Sequence, residues 1–433
     1  MLLWNLIVDF FRLQPTNEMH ERELYAFLSK EDDADFNVID PSGWCPISRA
    51  IASSNCEIVK ILILRCKDVD LNVPNCFKST PLTYAIFNEN VQIVEILVKS
   101  GANVDHLDDL GWTPLTMSVL KGNREMITFL SKNGANLNLV DIRNWSPIYK
   151  AIRVGSMDIL KHLIDLGAQL NLSNCCKNTP LIYAISKCNV GICEFLIRSG
   201  ASTNQEDDKG WTPLTMAISK GNLGIIALLS KNGANLDLRD STKYTPMTKA
   251  IDLLQVEVIK LLIDCGADVN FNDAVGYTPL QQAIFKDDLQ IVALLIDRGA
   301  DIEFIDNFGW TPISHAIKKN KINSVEFLIS KGANLNYSLP NGISPLSIAV
   351  VIDNLDIIKL LVENGAEINT HDGHGASPFQ NAVFENRMAI VKFFRENGAN
   401  LVMRTINLKN NAVELAIKND HIDILKQLVH QEE

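Results

Sequence analysis

TPLTYAIFNENVQIVEILVKSGANVDHLDDLGW, residues 80–112, decides the fold. Thr80 is a good N-cap and Pro81 follows at the first helical position, where a missing N–H costs nothing. Leu82, Ala85 and Ile86 then fall at helical spacing on one face, and the small Ala85 lets a neighbouring helix approach closely. After a short turn, Ile93, Val94 and Leu97 mark the inner face of a second helix, with Gln92 and Glu95 outward. Gly101 ends that helix as a left-handed cap. Asn103–Trp112 then forms a finger, with Asp108 and Gly111 as its turn residues.

The segment is one of many copies. Its proline recurs at Pro81, Pro114, Pro147, Pro180, Pro213, Pro246, Pro279, Pro312, Pro345 and Pro378, at a constant step of 33 residues. Pro46 stands 35 residues before this series, and Ala412 takes the proline place 34 residues after it. A Gly-Ala pair keeps the same step from Gly101-Ala102 to Gly398-Ala399, which gives twelve units in all.

The unit resembles the ankyrin repeat, with its T-P-L-x-x-A first helix, its L-L/V-x-x-G-A second helix and its D-x-x-G turn; the resemblance covers roughly residues 36–430. It implies an all-α fold: an ankyrin-repeat α-solenoid of about twelve helix-turn-helix units with β-hairpin fingers. It also implies protein recognition by fingers and first helices lining a concave side. Two departures stand out. The family's histidine in T-P-L-H is replaced by Thr83, Thr116, Tyr149 or Ile182, so its hydrogen bonds to the adjacent turn are missing or replaced. The glycine between the two helices survives only as Gly122, Gly155 and Gly221. Asp287, Asn320, Asp353 and Asn386 tolerate a left-handed backbone there, whereas Glu89, Cys188 and Leu254 do so poorly, and a different turn or local strain is expected at Leu254.

A longer period is superposed. GWTPLTM occurs at 111–117 and 210–216, SKNGANL at 131–137 and 230–236, and GWTPISHAI at 309–317, so the array repeats in blocks of 99 residues. At the ends, residues 1–35 are expected to form an N-terminal helical cap, residues 36–410 the array, and residues 411–433 a C-terminal capping helix pair. A second reading makes the apolar start MLLWNLIVDFFRL a docking helix for a partner or a membrane surface.

Composition narrows the function. A net charge of -11 speaks against general nucleic-acid binding. No stretch reaches the ~18 apolar residues of a membrane span, and the first residues lack a basic region, so no signal peptide is read. The nine cysteines keep no fixed place in the repeat, which argues for a reducing compartment. The expected location is the cytoplasm, with the nucleus and a host-cell cytosol as alternatives.

The candidate binding residues lie just before the T-P motif, at the base of the finger. These positions read Trp44, Ser79, Trp112, Trp145, Asn178, Trp211, Tyr244, Tyr277, Trp310, Ile343 and Ala376, and take five of the six tryptophans. Four consecutive units from Trp211 to Trp310 present an aromatic ring, a ladder of about 30 Å at a helix spacing of ~8–10 Å. Lys121, Lys187, Lys220, Lys286 and Lys319 recur at the end of the first helix and suit a partner with some negative charge. A third line, Tyr84, Met117, Lys150, Tyr183, Met216, Lys249, Gln282 and His315, is expected to line the same groove. Apolar finger tips, Phe77, Leu110, Ile142, Val275 and Phe308, complete it.

No phosphate loop, Rossmann fingerprint, HExxH or GxSxG motif is present. Cys175 and Cys176 at a finger tip and Cys188 in an interhelical turn sit too far apart to share one zinc with Cys193, and Cys176 lacks a positioned base. No metal, cofactor or catalysis is therefore expected. The leading expectation is a scaffold or adaptor that binds a protein partner on its concave face. The alternatives are an ankyrin-type effector delivered by a microbe into a host cell and, more remotely, a thiol-dependent enzyme.

Overall fold

The computed structural model describes residues 37, 39–40, 43–65, 69–108, 111–402 and 411–429. The expected N-terminal cap (residues 1–35) and Leu110 lie outside the described residues. The described residues contain helices and turns and no strand.

Twenty-four helices alternate in twelve antiparallel pairs among the described residues, from α1 (Pro46–Ala52) and α2 (Cys56–Arg65) to α23 (Ala412–Lys418) and α24 (Ile422–Val429). The chain divides into two compact bodies, Met1–Asp208 and Lys209–Glu433.

The unit read from residues 80–112 folds as expected. Its first helix, α3 (Pro81–Phe87), starts with Thr80 accepting the Thr83 N–H at 3.2 Å, and its second, α4 (Val91–Lys99), with Asn90 accepting the Ile93 N–H at 3.1 Å. Each cap satisfies a donor that the helix itself leaves unpaired, a contribution of ~1 kcal/mol. Leu82, Ala85, Ile86, Ile93, Val94 and Leu97 are buried, and the equivalent positions repeat this core along both bodies. Each fully buried Leu, Ile or Val adds about 1.5–3 kcal/mol.

The turn between the two helices corrects one expectation. Leu254 adopts φ +55°, and Glu89 and Cys188 adopt +59° and +55°, the same left-handed turn as Gly122 (+70°), Gly155 (+78°) and Asp353 (+57°). The Leu254 N–H bonds to Ile251 O at 3.0 Å and the Gln255 N–H to Ala250 O at 3.0 Å, the pattern also made after Val119 and Ser118. Leu254 therefore keeps the common turn, because neighbouring repeats fix where both helices must lie. At Gly101 (φ +91°) an added Cβ would meet nothing within 4 Å, so dihedral preference, not space, requires glycine there.

The fingers are turns closed by a side chain. Asp108 N–H donates to Trp112 O at 2.9 Å, and Trp112 N–H returns to Asp108 Oδ1 at 2.8 Å. At the start of the finger segment, side-chain acceptors lace successive repeats. In the N-terminal body Asn136 N–H donates to Asp105 Oδ1 at 2.8 Å and Ser202 N–H to Asn171 Oδ1 at 2.8 Å; in the C-terminal body Asp301 N–H donates to Asn270 Oδ1 at 2.8 Å and Glu367 N–H to Asn336 Oδ1 at 2.9 Å.

Candidate functional site

The face made by fingers and first helices rests on a device that the sequence reading missed. A finger aspartate holds its own turn with one oxygen. In four repeats its other oxygen is met by the residue nine positions later, the fourth of the first helix. Arg49 Nε donates to Asp40 at 2.9 Å, Gln282 Nε2 to Asp273 at 2.8 Å, His315 Nε2 meets Asp306 at 2.6 Å, and Lys150 ion-pairs with Asp141. Tyr84 and Tyr183 accompany Asn75 and Asn174 at these two places, and Ile348 accompanies Leu339. The recurring spacing of nine between an aspartate and a polar residue is the signal that could have revealed the pairing, although Met117 and Met216 follow Asp108 and Asp207 at the same spacing.

Burial overturns part of the third line. Met117, Lys150 and His315 are buried, at 6%, 3% and 5% exposure, and lie beneath the face. Tyr84, Tyr183, Met216, Lys249 and Gln282 remain half-buried. The missing T-P-L-H histidine is partly replaced: the buried Tyr149 hydroxyl bonds to carbonyls of Leu172 and Asn178 in the next repeat.

The aromatic residues at the finger base are half-buried without exception: Trp44, Trp112, Trp145, Trp211, Tyr244, Tyr277 and Trp310. They lean on first helices. In the N-terminal body Trp44 meets Tyr84 at 5.4 Å between ring centres and Trp145 meets Tyr183 at 5.4 Å, each ring reaching the next repeat. In the C-terminal body Tyr277 packs edge-on against Phe285 (5.0 Å) and His315 (5.6 Å), and Trp310 tilts over His315 (5.4 Å). Trp211, Tyr244, Tyr277 and Trp310 thus occupy one row in four successive repeats of one body.

Cations share this face. Lys318 Nζ stands 4.2 Å from the Trp310 ring centre, Lys249 Nζ 5.5 Å from Trp211 and 5.4 Å from Tyr244, and Lys319 Nζ 5.6 Å from Phe285. Such contacts contribute ~0.5–1 kcal/mol each at partly exposed sites. Lys286 bonds Asp252 at 2.6 Å and Lys121 approaches Glu89 at 3.5 Å, so both are partly neutralised. Lys187 lies over Tyr183 at 5.5 Å, and Lys220 is exposed.

Burial sets the ionisation beneath the face. It pushes the Asp141 carboxyl up, but the Lys150 ammonium and the backbone N–H groups of Trp145 and Arg143 outweigh it, and the group ends below its ordinary range. Burial holds His315 below its ordinary value; Asp306 opposes this, while Lys318 and Lys319 reinforce it. His315 is therefore neutral near pH 7 and donates to Asp306 as a neutral ring.

Cys193 is buried in a second helix and its thiol is pushed up to about 12 by burial and by Cys188, so it is not a thiolate at neutral pH. Cys175 and Cys176 are exposed at a finger tip, 3.8 Å apart at sulfur, and Cys188 is exposed elsewhere in that repeat. Among the described residues no three Cys, His, Asp or Glu side chains converge as a metal site, and no helix is long and apolar enough to cross a membrane.

Comparison with known proteins agrees with this architecture. The family described as ankyrin repeats, in three copies, matches residues 47–141, 134–207, 189–273, 255–339, 280–372 and 346–433. The chain therefore belongs to the ankyrin-repeat family, whose members are in general modules of protein–protein interaction. Among solved structures, the ankyrin repeat domain of Bcl-3, described as a unique member of the IkappaB protein family, is 26% identical, covers 50% of this chain and 99% of its own, and has a TM-score of 0.47. No curated protein matches the chain.

Proposed function

We propose that the protein is a non-catalytic scaffold or adaptor that grips a protein partner on the concave face lined by fingers and first helices, and that it acts in the cytoplasm without binding nucleic acid. The observation that carries this reading is the row Trp211, Tyr244, Tyr277 and Trp310, four half-buried rings in four successive repeats. A partner that buries the remaining ring area gains ~2 kcal/mol or more at each anchor. Trp112 and Trp145, together with Tyr84 and Tyr183, form the corresponding contact surface of the N-terminal body. Lys220, Lys286 and Lys319 supply its rim in the C-terminal body.

The test compares wild type with the Trp211→Ala/Trp310→Ala variant in affinity capture, with circular dichroism as the control for folding. Loss of the captured partner with an unchanged spectrum is the expected result. Capture that is indifferent to both substitutions would sink the reading.

A further inference from the structure

The sequence of cations and rings in the C-terminal body specifies the chemistry of what binds there, given the proposed binding role of the ladder. Lys220, Lys249, Lys318 and Lys319 form no ion pair within 4 Å among the described residues, whereas Lys286 on the same face is bonded to Asp252, and Lys260, Lys321 and Lys331, away from the ladder, are neutralised by Glu257, Asp287 and Asp297. Three of the four unpaired ammonium groups rest over rings: Lys249 between Trp211 and Tyr244, Lys318 on Trp310 and Lys319 on Phe285. A ring holds an ammonium from one side and leaves the other side open to an anion.

Lys249 makes the point by comparison. Lys150, 99 residues earlier, is buried and bonded to Asp141. Lys249 occupies the same place in its repeat, and both ammonium groups face rings, Lys150 that of Trp145 at 5.1 Å; but Lys249 makes no bond to Asp240, whose buried Oδ2 has no hydrogen bond. The finger carboxylates of this part of the face, Asp240, Asp273 and Asp306, are each 5% exposed, and Asp252 is bonded to Lys286, so the charges this row leaves unpaired are ammonium groups, in a chain whose net charge is -11.

Spacing fixes the form of the ligand. Successive first helices pack at about 8–10 Å. A polyproline II chain rises ~3.1 Å per residue with three residues per turn, so it returns the same face every ~9.3 Å, one turn per repeat. A β-strand returns the same face every ~6.6 Å and drifts out of register. Polyproline II segments also dock on aromatic-lined surfaces at small ordering cost.

We infer that the row from Trp211 to Trp310 binds an acidic, proline-rich segment in polyproline II form, with prolines against the rings and carboxylates on one face of the segment, one against Lys249 and another, two repeats on, against Lys318 and Lys319. The experiment titrates the full-length protein into fluorescein-labelled (Glu-Pro-Pro)4, (Lys-Pro-Pro)4 and (Glu-Pro)6, reading anisotropy at low and high salt. The expected result is saturable binding of (Glu-Pro-Pro)4 that weakens with salt, and weaker binding of the other two by about tenfold or more. The Lys249→Glu/Lys318→Glu variant should lose (Glu-Pro-Pro)4, and the milder Lys249→Gln/Lys318→Gln variant should weaken it if the reversal fails to fold. Absence of binding by wild type, equal affinity for the lysine or the period-two peptide, or indifference to both variants would each overturn the inference. If the peptides fail while partner capture still depends on Trp211 and Trp310, the acidic ligand is wrong and the scaffold reading stands. If capture is independent of both tryptophans, the scaffold reading itself is wrong.

Discussion

Two places 99 residues apart carry the same residues and use them differently. At Asp141 and Lys150, in the N-terminal body, the carboxylate and ammonium form a buried ion pair. At Asp240 and Lys249, in the C-terminal body, the lysine keeps only ring contacts, to Trp211 and Tyr244, where Lys150 has both its carboxylate and the Trp145 ring at 5.1 Å. Trp112 and Trp211 are the same residue type 99 apart, and so are the two Lys-Asp pairs; what differs nearby is Trp145 against Tyr244 and the neighbouring side chains that each lysine meets. The third copy, 99 residues further on, has Leu339 and Ile348, so both partners turn apolar together and stay buried at 4% and 6%. A lysine at this position is thus structural when it is sealed beneath the face and available to a partner when it is not.

The sharpest break in the comparison is at Asp141. Asp141→Asn leaves the Lys150 ammonium buried without its counter-charge and should cost about 3–5 kcal/mol in urea unfolding, while Asp240→Asn should cost about 1 kcal/mol or less. Installing the third copy's solution, Asp141→Leu/Lys150→Ile, should restore stability to within about 1 kcal/mol of wild type, because a matched apolar pair needs no desolvated charge. Equal losses at Asp141 and Asp240 would show that the two lysines play the same role.

A smaller effect is expected at the interhelical turn, where Gly155, Leu254 and Asp353 are again 99 residues apart and all left-handed. Leu254→Gly should stabilise by about 1 kcal/mol, since an L side chain pays ~1–2 kcal/mol in that region and glycine does not, less the added freedom of the unfolded chain. Gly155→Ala should destabilise by a similar amount. Thermal midpoints of the two variants moving in the same direction would contradict this.

The smallest effect concerns pH. His315 sits below its ordinary value because of burial, so the unfolded chain binds more protons than the folded one as pH falls under about 6.5. Its stabilisation is complete above that pH and is lost on going down toward the folded value. The urea midpoint should therefore drop between pH 7.5 and pH 5.5, and His315→Gln, which copies the neutral Gln282–Asp273 bond, should flatten that part of the drop. An identical slope in the variant would remove His315 from the account.

The secondary structure was legible because its causes are local. Thr80 before Pro81, Asn90 before Val91 and Gly101 after Ser100 act within one turn of the chain, and the 33-residue step repeats them until their meaning is unambiguous. The ladder was legible for the same reason, since repeat position fixes which residues share a face. The turn at Leu254 was misread because its propensity is local while its dihedral angle is imposed by packed neighbours. Met117, Lys150 and His315 of the third line were misread because helical spacing says which side a residue faces, not how deeply it is buried there.

Sequence alone determined the twelve-fold repeat, the helix pairs and the register of the tryptophans, since caps, prolines and apolar periodicity are properties of a few contiguous residues. Tertiary structure alone decided which lysines are buried, which rest on rings and which bond a carboxylate. That choice depends on the finger closing over the helix nine residues away, where a low-dielectric site rewards a paired charge and water-facing rings reward a free one.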